Sequence, residues 1–126
     1  MNIFDPQFKF EIVRGAGKIR LGDDSYDLNL PADLEIRSSA LIPAMAAHAT
    51  QFAEWSTLNA QAKAYLRQAK QMLAGSRDQT DAFYNVSVLT EIVEFTEAAV
   101  RAFEHKRDML KEINRAQCAA FAGELN

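Results

Sequence analysis

Three cations lie at helical spacing in the middle of the chain. Lys63, Arg67 and Lys70 stand at i, i+4 and i+7 within AKAYLRQAKQMLAGSR, residues 62–77, a stretch that also carries Arg77 and has no acidic residue. On a helix this spacing places the three cations on one face. We call Lys63, Arg67 and Lys70 the basic ridge. Its chemistry suits non-specific contact with the phosphates of a nucleic acid.

A second interpretation of the basic ridge is structural. Cations near a helix C-terminus gain about 0.3–1 kcal/mol from the helix dipole, and an antiparallel neighbour carrying Glu91, Glu94 and Glu97 would lie close by. The absence of any acid between residues 55 and 78 favours binding, because a solvated helical face usually mixes both signs. Tyr65 adds a ring on which a base can stack. Both interpretations stay open.

A secondary basic row lies later in the chain. Arg107, Lys111 and Arg115 recur at a spacing of four, and three acids at the same spacing form the adjacent row. Those acids are Glu104, Asp108 and Glu112. Local pairs of this kind nearly cancel the charge, so the pattern is typical of a salt-bridged outer face.

The helical segments carry more aromatic surface than one hairpin and a small sheet are expected to cover, which predicts a homo-oligomer. Lys106 falls on the apolar face of its helix, where a charge needs a partner and often fixes the register of an assembly. The predicted oligomer seam consists of Phe52, Trp55, Phe95, Phe103, Lys106 and Leu110.

No catalytic or metal-binding arrangement is evident. His48 and His105 are far apart in the sequence and lack a carboxylate pair, so both are interpreted as ordinary polar or seam residues. Cys118, the single cysteine, has no histidine or basic helix start beside it and is interpreted as a small packing residue. We therefore expect no enzyme, no metal and no cofactor.

The N-terminal part predicts a small antiparallel β-meander. Apolar residues alternate with polar ones in three short stretches, 8–13, 18–21 and 25–30, separated by the glycine-containing turns GAG and GDD. Pro31 is expected to end the last strand. The meander has one apolar face, which needs a partner to cover it.

Two long helices are predicted to follow as an antiparallel hairpin. The first has a candidate cap at Ser38 or Ser39, a first-turn proline at Pro43 and a natural end at Gly75. The second runs from about residue 83 to residue 121, since apolar residues recur there at steps of three and four. The connection between the helices is short enough to force antiparallel return.

The whole chain has 126 residues and a formal net charge of -3. The predicted class is α+β, mostly α, a single domain with a β-meander and connector over 1–37 and a long helical hairpin over 38–126. No apolar run approaches the roughly 20 residues that span a bilayer, and no signal-type leader is evident. We expect a cytoplasmic protein without a membrane partner.

The sequence over residues 33–121 resembles the phage recombination mediator family of UvsY type. The likeness depends on the helix start at Ile42 and Pro43, on a first helix carrying Phe52 and Trp55 with a basic segment at its end, and on the later stretch KRDMLKEI.

This resemblance implies a non-enzymatic, ring-forming protein that holds single-stranded DNA and helps to load a RecA-like recombinase onto strands covered by single-strand-binding protein. It implies that Lys63, Arg67 and Lys70 face the DNA and that the second helix mainly builds the oligomer. The alternative is a phage protein-interaction or assembly factor, such as a chaperone or an inhibitor of a host protein, that uses its acidic surface or the exposed edge of the meander.

Overall fold

The computed structural model describes residues 7–36, 41–75 and 80–125. A three-stranded antiparallel sheet precedes two long helices that pack against each other, which confirms the predicted α+β, mostly α, class. The elements are β1 (Phe8–Val13), β2 (Ala16–Leu21), β3 (Asp24–Asn29), α1 (Leu30–Leu34), α2 (Leu41–Gly75) and α3 (Thr80–Leu125). No helix within the described ranges is both long and apolar enough to cross a membrane.

The sheet follows the predicted meander, with β2 in the centre and β1 and β3 at the edges. Alternation places Ile19 and Leu21 of β2 in the core, where both side chains are fully buried. Gly17 has φ of +148°, and a Cβ atom at this position would lie 1.9 Å from the carbonyl oxygen of Glu11 across the β1–β2 pair. Only glycine therefore fits the start of β2.

The short helix α1 was not predicted. Its sequence signal is local: Asn29 accepts a hydrogen bond from the backbone N–H of Ala32 at 3.1 Å, and Pro31 occupies the first turn. Pro31 therefore ends β3, as expected, but also helps to begin a helix of five residues.

The helix hairpin has bounds close to those predicted. Pro43 lies in the first turn of α2, whereas α3 begins at Thr80 and continues to Leu125, so it is longer at both ends than the pattern of large apolar residues indicated. Gly75 is the last residue of α2. The candidate caps at Ser38 and Ser39 lie outside the described residues.

The core lies where the sheet covers the hairpin. β1 contacts α3, and the ring of Phe10 packs edge-on against Phe95 at a centroid distance of 5.7 Å. The largest contributions from the helices are aromatic and branched aliphatic side chains. They include Trp55 and Leu58 of α2, with Leu89, Ile92 and Phe103 of α3.

Candidate nucleic-acid interface

α2 carries the whole basic ridge, but its three cations differ in what they contact. Lys63 Nζ lies 3.0 Å from Glu97 Oε1 on α3, and both side chains are partly exposed. The hydrogen bond and charge of Lys63 lower the pKa of the Glu97 carboxyl. This contact agrees with the structural interpretation for Lys63, whose charge pairs with the neighbouring helix.

Arg67 and Lys70 are exposed, and neither forms an ion pair with a described residue. Arg67 lines a shallow groove of about 470 Å³ between α2 and the start of β3, together with Gln68 and Gln71. Asp24 lies at the β3 side of this groove. The exposed part of the ridge thus offers two cations beside two amide side chains, a set that can contact phosphate oxygens.

Tyr65 holds the sheet on α2. Its half-buried ring meets the ring of Phe8 edge to face at 5.3 Å and 62°. Its hydroxyl group lies close to Gly22, since a Cβ atom built there would be 3.2 Å from Oη. These contacts favour a packing role over the predicted base stacking. Arg77, the other residue predicted at this surface, lies outside the described residues.

The secondary basic row is largely paired along its own helix, as predicted. Arg107 Nε lies 3.6 Å from Asp108 Oδ1, and Arg115 Nη1 donates to Glu112 Oε2 at 3.1 Å. Lys111, between them, is exposed. This face of α3 consequently presents little net charge.

The predicted oligomer seam lies mostly inside the single chain. Trp55, Phe103, Lys106 and Leu110 are buried, while Phe52 and Phe95 are half-buried and packed against the core. The expectation that one hairpin and a small sheet could not cover these rings is corrected. Phe10 of β1 packs on Phe95, while the rings of Phe52 and Trp55 pack on Phe103. Self-association itself stays a prediction, but it needs another surface.

Lys106 has its partner within the chain, on α1. Its Nζ donates to the backbone carbonyl oxygen of Asp33 at 2.7 Å and lies 5.9 Å from the centroid of the Phe103 ring. The Asp33 carboxylate accepts a hydrogen bond from Trp55 Nε1 at 3.0 Å. Burial lowers the pKa of the Lys106 ammonium group, an effect that the nearby Asp33 charge opposes.

The two histidines differ in environment. His48 is buried, and its Nε2 lies 2.8 Å from the carbonyl oxygen of Phe103, so Nε2 carries the donated proton. His105 is exposed on α3. His48 is thus a seam residue between α2 and α3, as interpreted. Among the residues that the structure describes, no three potential metal ligands cluster together.

Cys118 is exposed near the end of α3. Its Sγ atom lies 3.9 Å from Asn114 Oδ1, one turn earlier on the same helix. The prediction that it is a packing residue is therefore wrong, because α3 continues past α2 at this point and nothing among the described residues covers it.

A second concave surface lies between β3 and α2. This cleft of about 880 Å³ is bordered by four consecutive residues of β3, 25–28, and by one face of α2. Three carboxylates line it, from Asp27, Asp33 and Glu54, and no basic residue does. β3 pairs only with β2 in the described part of the chain, so its other edge is free for backbone pairing.

Comparison with protein families, characterised proteins and solved structures found no match for this chain. Two surfaces of this chain are therefore candidates for function, the exposed part of the basic ridge and the cleft beside β3.

Proposed function

We propose that the chain is a non-enzymatic protein that binds single-stranded DNA and acts as a recombination mediator. The observation that carries this proposal is the exposed face of α2. It displays Arg67 and Lys70 without an ion pair to any described residue, although the chain as a whole has a net charge of -3. In an acidic chain, a helix face that carries two available cations and no acid of its own between residues 55 and 78 is suited to a polyanion, although Asp24 of β3 borders the groove.

The mechanism is binding and transfer. Arg67 and Lys70 contact phosphates without reading the base sequence, and Gln68 and Gln71 add hydrogen bonds from the groove. Two cations give only weak binding per chain, which suits a factor that must release the strand. Several copies on one strand would sum these contacts.

The partners in this proposal follow from the resemblance to UvsY-type mediators. The chain would act with a RecA-like recombinase and a single-strand-binding protein, in the host cytoplasm if it is encoded by a phage. Its role would be to hold the strand while one protein replaces the other.

The test is a fluorescence-anisotropy titration of labelled oligothymidylate at several salt concentrations. We expect binding at low salt that weakens as salt rises, with log Kobs falling by about 0.7 per phosphate contact for each unit of log salt. Arg67→Ala with Lys70→Ala should remove two contacts per chain and reduce the slope accordingly. The matched control, Arg107→Ala with Lys111→Ala, changes the net charge equally and should bind nearly as wild type does.

Two results would contradict this function. Wild-type protein that ignores the oligonucleotide at low salt would exclude it, and equal losses in the two double variants would mean that net charge, rather than the α2 face, governs binding. Circular dichroism of each variant verifies that the helices remain.

The cleft beside β3 favours a second candidate, a protein-binding module. The free edge of β3 can pair with an extended segment, while Leu28 and Ala53 offer apolar contact. Carboxylates from Asp27 and Glu54 line the same cleft, although Asp27 also lies 3.9 Å from Lys18 Nζ. The partner fitting this chemistry is an extended segment in which basic and apolar residues alternate.

A pair of synthetic peptides tests this second candidate. A peptide of alternating lysine and valine should bind, whereas one of alternating glutamate and valine should not. Ala53→Phe fills the cleft and should abolish binding, while Ala60→Phe, exposed on the same helix outside the cleft, should leave it intact. Binding that persists in Ala53→Phe would exclude the cleft as the site.

A further inference from the structure

The cleft beside β3 and the smaller groove at Arg67 adjoin each other along α2. Gln61 of α2 lines both of them. β3 forms the opposite wall throughout, with Asp24 at the smaller groove and residues 25–28 at the cleft. The Tyr26 hydroxyl group donates to Gln61 Oε1 at 3.1 Å where the two depressions meet. We call the combined surface the β3–α2 groove.

The walls of this groove run in opposite directions. Trp55 of α2 donates to the Asp33 carboxylate just after β3 ends, and the Tyr65 hydroxyl group lies beside Gly22, just before β3 begins. The part of α2 from Trp55 to Tyr65, about 15 Å of helix axis, therefore faces the full length of β3. A chain that pairs with all of β3 must pass along both depressions.

The outer edge of β3 carries the backbone groups for such pairing. Leu30 N–H donates to the carbonyl oxygen of Gly15 at 2.9 Å, just beyond the ends of β3 and β2. In an antiparallel pair, residues that exchange these bonds alternate with residues that do not. Leu28 is in phase with Leu30 and uses its backbone groups on β2. Ser25 and Asp27 are out of phase, so their N–H and C=O groups point away from β2, toward an added strand.

The charges along the groove select the kind of segment that fits. Asp27, Asp33 and Glu54 line the cleft, and no basic residue does. Glu54 is exposed and forms no ion pair with a residue that the structure describes. At the other end, Arg67 and Asp24 stand on opposite walls, so that end is close to neutral. The complementary segment therefore carries a cation at the Glu54 end and no net charge at the Arg67 end.

A segment paired along all of β3 also covers side chains of the proposed DNA site. Its residue opposite Asp24 lies at the Arg67 end, where Arg67, Gln68 and Gln71 form the other wall. These three side chains are among the proposed phosphate contacts. At about 470 Å³, this end is near the small end of the size range for the pocket of one small ligand. A protein strand and a phosphate backbone therefore exclude each other there.

We infer that the β3–α2 groove takes an extended segment of a partner protein and that this segment displaces DNA from Arg67. The competition rests on both proposed functions and adds a regulation of the DNA site. Because coupling between two ligands is reciprocal, DNA must weaken binding of the segment by the same factor. A mediator built in this way releases its strand when the partner docks.

The test uses labelled oligothymidylate and a peptide in which one lysine precedes alternating valine and threonine. A single lysine limits direct contact between peptide and DNA, and a titration of the two without protein corrects for it. With the protein saturated by peptide, we expect oligothymidylate affinity to fall to that of Arg67→Ala without peptide. The slope of log Kobs against log salt should become shallower by about 0.7, the share of one phosphate contact. Saturating DNA should weaken peptide binding by the same factor.

Two single variants locate the competition. Arg67→Ala removes the contested contact, so the peptide should have no further effect on its DNA binding. Lys70→Ala also removes one cation, but Lys70 lies outside the lining of the groove. The peptide should therefore weaken DNA binding by Lys70→Ala as much as it does in wild type. Both side chains are exposed, and circular dichroism verifies that the helices remain.

Three results would overturn the inference. Peptide and DNA that bind together without weakening each other would overturn it and leave both proposed functions standing. Competition that persists in Arg67→Ala would mean that the two ligands meet elsewhere. If the protein binds only one of the two ligands, the function assigned to the other is excluded, and the inference fails with it.

Discussion

Lys106 Nζ on α3 donates a hydrogen bond of 2.7 Å to the backbone carbonyl oxygen of Asp33 at the end of α1. The Asp33 carboxylate meanwhile accepts from Trp55 Nε1 on α2. One residue of a five-residue helix is thus held by both long helices, and α1 connects the sheet to the hairpin. This contact acts together with the packing of Phe8 on Tyr65 and of Phe10 on Phe95 to hold the sheet, and with it the cleft beside β3, against the hairpin.

Replacing Lys106 should loosen α1. Lys106→Met keeps the apolar stem but removes the charged donor to the partly buried carbonyl of Asp33, so we expect a loss of about 1–3 kcal/mol in the free energy of unfolding, the usual range for a hydrogen bond to a charged group. Denaturant unfolding measures it. Lys111→Met, on the exposed side of the same helix, should change stability by no more than about 0.5 kcal/mol. Equal effects in the two variants would contradict the assigned contact.

The same lysine predicts a pH dependence. Burial lowers the pKa of Lys106 in the folded chain below its ordinary value of 10.5. At a pH between the lowered pKa and 10.5, the unfolded chain therefore binds more protons than the folded one. Folding stability contributed by this site therefore rises as the pH increases through the lowered pKa toward 10.5. The difference in unfolding free energy between wild type and Lys106→Met should grow over that interval. Tyrosine residues titrate in the same pH range, but they are present in both proteins, so their contribution cancels from this difference in unfolding free energy.

The two histidines give a matched comparison of buried and exposed rings. His48 donates to Phe103 and its ring lies 5.8 Å from the rings of Phe52 and Phe103. His48→Ala should therefore destabilise the chain by about 2–4 kcal/mol through lost packing and a lost hydrogen bond. His105→Ala should change stability by no more than about 0.5 kcal/mol. Thermal or denaturant unfolding of both variants checks the contrast.

Much of the fold could be predicted because the signals are local. Alternation of apolar residues places Ile19 and Leu21 in the core, and apolar spacing with a short connection predicts the hairpin. α1 spans five residues, which is too few to show a helical period. The sequence indicates that Lys106 needs a partner, but that partner is a backbone carbonyl 73 residues away, which no side-chain pattern can indicate.

The candidate surface was predicted less completely for a related reason. Spacing alone places Lys63, Arg67 and Lys70 on one face. Which of the three meets a glutamate depends on the register of α2 against α3. That register is set by buried polar contacts such as Asn59 Nδ2 to Thr96 Oγ1, at 2.9 Å, which are visible only in three dimensions.

Gly17→Ala should prevent the first hairpin from forming normally. The added methyl group would lie 1.9 Å from Glu11 O, and φ of +148° is unfavourable for alanine. We expect a loss of at least about 3 kcal/mol from backbone strain and overpacking together. Gly123→Ala meets no atom within 4 Å on α3 and should be neutral or stabilising by up to about 1 kcal/mol. A Gly17→Ala variant as stable as Gly123→Ala would exclude this β1–β2 register.

Lys63 should matter less for DNA binding than Arg67 or Lys70, because its charge already pairs with Glu97 at 3.0 Å. We expect Lys63→Met to weaken oligothymidylate binding less than Arg67→Met, and Glu97→Gln to strengthen it by releasing Lys63.

Acidification should strengthen binding in the same way as Glu97→Gln. Lys63 lowers the pKa of Glu97, so the stability from this pair is present above the ordinary carboxyl pKa and is lost as the pH falls through the lowered value. Anisotropy titrations of wild type and the three variants separate these effects. Equal losses in Lys63→Met and Arg67→Met would mean that the Lys63–Glu97 pair opens when DNA binds, and that all three cations of the basic ridge contact the strand.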